Sequence, residues 1–163
     1  MDYHEFISTF KSQVNKVEYG KGLQFALKIS RLLLPEYVNF YLTHEWGDPN
    51  VLADSMQLCE KAKDSSIDME QVSEMAVKVE TVTPHMDDFG DLIASYALNA
   101  CVAIYSSLQY LLNRDTSNLY DIGIAYTDTV DFKVQGEGDL TEGEIAAHPD
   151  MQNAWNFIIE ETR

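Results

Sequence analysis

A chain of 163 residues with 45% hydrophobic and 23% charged side chains has the make-up of one globular domain, residues 1–163, which excludes the collagen-like, disordered and disulfide-scaffold classes. Its 27 Asp and Glu against 11 Lys and Arg give a net charge of -16 and a pI near 4.3. Nucleic acid and anionic membranes are both repelled by such a surface, so neither is expected as a partner.

At the amino end, Met1-Asp2-Tyr3-His4-Glu5 shows neither the positive n-region nor the apolar h-region of a secretory signal, and a cytoplasmic location is expected. Phe6, Phe10 and Val14 recur at i, i+4, i+8 and predict an amphipathic helix over residues 2–14. Tyr19-Gly20-Lys21-Gly22 is expected to break the chain before a second, deeply buried helix over residues 23–34, whose polar residues Gln24, Lys28 and Arg31 form one narrow stripe. Pro35 lacks the N–H a helix needs and is expected to end or kink it. A short aromatic helix with Tyr37, Phe40 and Tyr41 inward should follow and close at Trp46-Gly47-Asp48-Pro49. There Gly47 suits a left-handed position, Asp48 an N-cap and Pro49 the first helical position.

Leu52, Met56, Cys59 and Ala62 give the next helix its buried side, before a polar turn at Asp64-Ser65-Ser66. Asp68 and Gln71 have capping-box spacing, Met69, Val72, Ala76 and Val79 continue at helical period, and Thr83-Pro84 ends that element. Residues 92–113 carry no charge over the length of a membrane span. Ser95, Asn99, Ser106, Gln109, Tyr110 and Asn113 nevertheless fall within about 60° of one meridian at 100° per residue. Ala97, Cys101, Ile104, Leu108 and Leu111 lie opposite, so the segment is read as the central helix of a bundle, residues 92–112. Ala94, Ala97, Ala100 and Ala103 allow its neighbours close approach.

Residues 121–134 alternate with period two through Ile122, Ile124, Tyr126, Val130, Phe132 and Val134, which fits a strand as well as a helix. No second segment offers itself as a pairing partner, and a lone strand cannot satisfy its backbone, so helix is expected. Gly136, Gly138 and Gly143 mark a loop, and Pro149 with Met151, Ala154, Trp155 and Ile158 opens a final helix. The fold class is therefore all-α: a single-domain bundle of about seven helices around the central apolar one. Cys59 and Cys101, each without a histidine or second cysteine at ligand spacing, read as reduced core thiols.

His4, His44, His85 and His148 lie in four segments and form no His-x-x-x-His or Glu-x-x-His pair. No Walker loop, Gly-x-Ser-x-Gly or Gly-x-Gly-x-x-Gly occurs, so no catalytic residue and no cofactor is assigned. The candidate binding residues are carboxylates: Asp121, Asp128 and Asp131 on one face of the helix at 121–134, and Asp87, Asp88 and Asp91 before the central helix. Together they could hold magnesium, as paired acidic helices do in some helical nucleotide hydrolases. The Glu-x-x-Glu spacing of those hydrolases is missing, and the positive end of the helix dipole already favours Asp87, Asp88 and Asp91 where they stand, so no metal is assigned.

Pro35-x-Tyr37-x-x-Phe40, Gly47-Asp48, Asp87-Asp88-Phe89, Ala100-Cys101-Val102-Ala103, Leu140-Thr141-Glu142-x-Glu144, His148-Pro149 and Trp155 follow one another in an order and spacing that resembles the YjaG-like bacterial proteins, domain of unknown function 416. The resemblance covers residues 23–161 and implies packed helices throughout, including residues 121–134. It implies no activity. Asn99 stands where the pattern has an acid, Pro49 where it has glycine, and longer members continue with a further helix. Two function classes follow from the residues: a non-catalytic protein-binding or regulatory module with a basic protein as partner, and a small helical metal-dependent hydrolase using Asp carboxylates. No oligomeric state is specified.

Overall fold

Eight helices follow one another in the computed structural model, which describes residues 1–136 and 138–163: α1 Tyr3–Val14, α2 Tyr19–His44, α3 Pro49–Lys61, α4 Met69–Val82, α5 Leu92–Asn113, α6 Ser117–Gln135, α7 Glu142–Ala147 and α8 Pro149–Thr162. No strand occurs among the described residues. α5 is the axis of the bundle. α2 and α6 pack along it most extensively, α4 and α3 cover further parts, and α1 and α8 pack on α6 and on each other. Four alanines on α5, Ala94, Ala97, Ala100 and Ala103, are wholly inaccessible, so neighbouring backbones come close where larger side chains would hold them apart. α5 alone among the described helices is long and apolar enough to cross a membrane, and here it is packed inside the bundle.

Much of the polar meridian of α5 is turned toward other helices, and Asn113 at its end is exposed. Ser106 and Tyr110 are buried, and Asn99 donates from Nδ2 to Thr129 Oγ1 of α6 at 3.0 Å. On another side, Ser107 donates to the Ala103 carbonyl at 2.8 Å and its oxygen lies 3.2 Å from Ser30 Oγ of α2. The buried hydroxyls of Ser30, Ser107 and Thr129 are tolerated here because each has a partner.

Four local expectations are corrected. Residues 15–18, rather than Tyr19-Gly20-Lys21-Gly22, break the chain, and both glycines lie in the first turns of α2. Gly22 is there for closeness: a Cβ would come within 2.6 Å of the Tyr110 hydroxyl and 2.9 Å of Leu119. Pro35 does not end α2, which runs through it for 26 residues and absorbs the separate aromatic helix. The Arg31 carbonyl that loses its donor belongs to the exposed side, where water can replace the bond, while fully buried Tyr37 and Phe40 hold the following turns onto the core. Tyr41, expected inward, is exposed, as are Leu32 and Leu42. Finally, Gly143 lies inside α7 rather than a loop, because Thr141 and Glu144 form a reciprocal capping box that outweighs one glycine.

The junction after α2 is as expected. Glu45 and Gly47 are left-handed, with Gly47 at φ 91°, Asp48 accepts from Asn50 N at 2.9 Å, and Pro49 opens α3. The Tyr37 hydroxyl fastens this corner, donating to the Val82 carbonyl at 2.6 Å and accepting from Asp48 N at 3.2 Å. It thereby joins α2, the turn and the end of α4, and it packs so closely on Gly47 that no Cβ fits there.

Two glycines test this packing. Gly123 of α6 faces the ring of Phe10, itself boxed by Phe6, Phe25 and Tyr120, whereas Gly20 faces open space. Urea unfolding should show Gly123→Ala less stable by about 1–3 kcal/mol from overpacking. Gly20→Ala should gain about 0.5 kcal/mol from a less flexible unfolded chain.

Candidate functional site

α6 presents Asp128 and Asp131 one turn apart at the edge of a cleft of about 440 Å³, which α7, α8 and the start of α1 complete. Glu142, in the first turn of α7, adds a third carboxylate, and Tyr3, Met151 and Trp155 supply apolar wall. Asp131 accepts from Gln135 Nε2 at 2.9 Å. Partial desolvation pushes the Asp128 carboxyl above its ordinary value, and the Asp131 charge pushes it further. Desolvation also raises the Tyr3 phenol, with the charges of Asp128 and Asp131 adding to it and that of Lys11 opposing.

Trp155 is held by stacking on Phe6, with ring centroids 5.5 Å apart, and by a tilted contact with Tyr3 at 6.2 Å. It is 2% exposed, yet its Nε1–H is the only buried side-chain polar atom without a hydrogen-bond partner among the described residues. Such an orphan donor costs about 1–3 kcal/mol.

Asp121 stands elsewhere. It lines a second cavity of about 540 Å³, a groove over α5 between α4 and α6, with Glu80, His85 and Tyr105 around it and Cys101 at its base. Burial raises the Tyr105 phenol, and the Glu80 charge adds to it. Burial likewise raises Asp121, with Asp115 contributing. Asp121 and Asp128 share a face of α6, but they are seven residues apart, about 10 Å along the helix axis, and line different cavities. Asp91 caps α5, accepting from Ala94 N at 2.9 Å, and pairs with His44 Nε2 at 2.8 Å. Asp87 and Asp88 are exposed in the preceding turn and line neither cavity. Among the described residues no group of three or more His, Cys, Asp or Glu is disposed to hold a metal ion. His148 caps α8, accepting from Asp150 N at 3.2 Å. Burial pushes both thiols, Cys59 and Cys101, up to about 12 and leaves them unreactive.

Residues 9–161 match the family described as Protein of unknown function (DUF416). The chain belongs to that family. This DUF416 chain is also similar to a DUF416 family protein from Shewanella baltica OS155, known from a crystal structure, with 22% identity, a TM-score of 0.78, and coverage of 94% of this chain and 83% of that one. The likeness shows a shared fold and extends the family resemblance from residue 23 back into α1. Among curated proteins, none matches the chain.

Sequence reasoning missed Tyr3, Glu142 and Trp155. Trp155 recurs with Met151 and Ile158 at core period, and nothing in that period reveals that its N–H lacks an acceptor.

The sign of the Asp128 shift makes a testable statement. Its folded-state pKa is raised, so the unfolded chain releases the proton first and stability falls as pH climbs through the window above the ordinary value of 3.8. Asp128→Asn should therefore raise stability at neutral pH, by a few tenths of a kcal/mol given solvent screening. In thermal melts against pH, the gain should vanish below the carboxylate range.

Proposed function

We propose that this DUF416 chain is a non-catalytic binding or regulatory module whose partner is a basic protein, engaged through the acidic cleft of α6, α7 and α8. One observation carries the reading: the carboxylates of the cleft are left without cations. Lys28 pairs with Glu161, Arg31 and Lys63 with Glu60, and Lys133 with Glu36, while Asp128, Asp131 and Glu142 enter no ion pair among the described residues. With a net charge of -16, the surface also steers a basic partner toward the domain at long range. The proposed compartment is the cytoplasm, supported by two free thiols. The metal-dependent hydrolase weighed from the sequence gains no gathered ligand set, since the six candidate aspartates are divided among a cap, an exposed turn and two cavities.

Stopped-flow association with a partner captured from the native organism tests the reading. The association rate should fall by about tenfold or more between low and physiological salt, while dissociation changes less. The double variant Asp128→Asn, Asp131→Asn should slow association further. An association rate indifferent to salt would defeat the proposal.

A further inference from the structure

The lining of one cleft includes two different kinds of partner-seeking group. Asp128, Asp131 and Glu142 call for a cation, and Trp155, in the wall, keeps a buried N–H with no acceptor. A plain alkylammonium answers only the first, and a neutral amide only the second. A group that answers both carries an ammonium and a carbonyl oxygen a few bonds apart. The volume, about 440 Å³, lies within the range of small-ligand sites, so one such group fits without the rest of a large molecule entering. Access to the indole edge also has a candidate gate. Tyr3 sits in the first turn of α1, is 61% exposed and packs on Trp155, so its side chain can swing aside without disturbing the core. Phe6, on the other side of the indole, is fully buried and keeps the ring in place as Tyr3 moves.

We propose that the cleft between α6, α7 and α8 binds an α-aminoacyl group, its ammonium held by Asp128 and Asp131 and its carbonyl oxygen accepting the Trp155 Nε1–H. The inference deepens the acidic-cleft reading and rests on it for the location of the site. It adds the chemistry: the free amino terminus of a polypeptide, or a small amino amide, is recognised rather than positive charge in general. Lys11, the cation whose charge reaches Tyr3, stands toward α1 and disfavours a second positive group on that side, which fits one ammonium rather than a basic run.

Titration of 15N-labelled protein with glycinamide, n-propylamine and acetamide tests this, read on the two indole N–H signals of Trp46 and Trp155. Trp155→Phe assigns them, or Trp46→Phe if the first variant fails to fold. Glycinamide should move the Trp155 signal and leave Trp46 in place, binding about fivefold or more tighter than propylamine, which has the charge without the acceptor. Acetamide should move neither. Asp128→Asn should weaken glycinamide severalfold in a protein whose other resonances are unchanged. Triglycine amide and its N-acetyl form separate the sources: tight binding of the free peptide alone points to a polypeptide terminus, and binding of glycinamide but not of the peptide points to a small amino compound. A Trp155 signal unmoved by glycinamide, or propylamine binding as tightly as glycinamide, would overturn the proposal. The titration contains no protein partner, so a salt-independent partner association would count against the earlier reading and leave this result standing.

Discussion

The close approach of three helices to the alanines of α5 is the constraint on which the architecture depends. Ala94, Ala97, Ala100 and Ala103 offer no bulk, so α2 and α6 must bring their own large side chains into the gaps between ridges. That explains why the fully buried set on α2 extends from Leu23 to Phe40, across both sides of Pro35. It also explains where polar atoms enter the interior. Ser30 with Ser107, and Asn99 with Thr129, sit where backbones are near enough for short side chains to reach across. A longer side chain at position 22 or 123 would separate the layers again.

Charge is distributed by the same helices in a different pattern. Lys28 and Arg31 of α2 and Lys133 of α6 bridge neighbouring elements, α2 to α8, α2 to α3 and α6 to α2. These pairs are exposed and contribute little stability each. Their effect is on the electrostatic map, because every cation used between helices is one fewer to neutralise the acidic surplus. The surplus remains beside α7 and at the edge of α6, where carboxylates border aromatic surface and are partly desolvated.

Most of the helices were legible because the period of apolar residues reports burial directly: Phe6, Phe10 and Val14, or Val72, Ala76 and Val79, are all buried. What period cannot report is which side a structure-breaking residue falls on. Pro35 reads as a stop, but its missing bond lies toward water, and Gly22 reads as a break, but its missing side chain is space that Tyr110 and Leu119 occupy. The site was legible in part. Asp128 and Asp131 were visible as a helical pair, while their separation from Asp121 depends on the groove over α5 at one end of α6 and on α7 and α8 further along. Trp155 could be placed in the core from its spacing, whereas the state of its N–H depends on neighbours distant in sequence.

The tyrosines carry a consequence for alkaline conditions. Burial raises the phenols of Tyr3, Tyr37, Tyr105, Tyr110, Tyr120 and Tyr126, six of the nine in the chain, and Tyr37 most clearly, since desolvation outweighs the opposing bond that its oxygen accepts from Asp48 N–H. An unfolded chain ionises these groups near the ordinary tyrosine value, whereas the folded chain keeps them protonated for longer, so base favours unfolding. A carboxylate-rich protein is ordinarily thought vulnerable to acid. In this one, acid relieves the raised Asp128 carboxyl while Glu60, Asp115 and Glu144, held below their ordinary values, resist protonation, and the corner where α2, the Gly47 turn and α4 meet is held by a phenol that burial keeps protonated. The corner built on the Tyr37 hydroxyl thus adds a sensitivity to base that the acidic composition does not suggest.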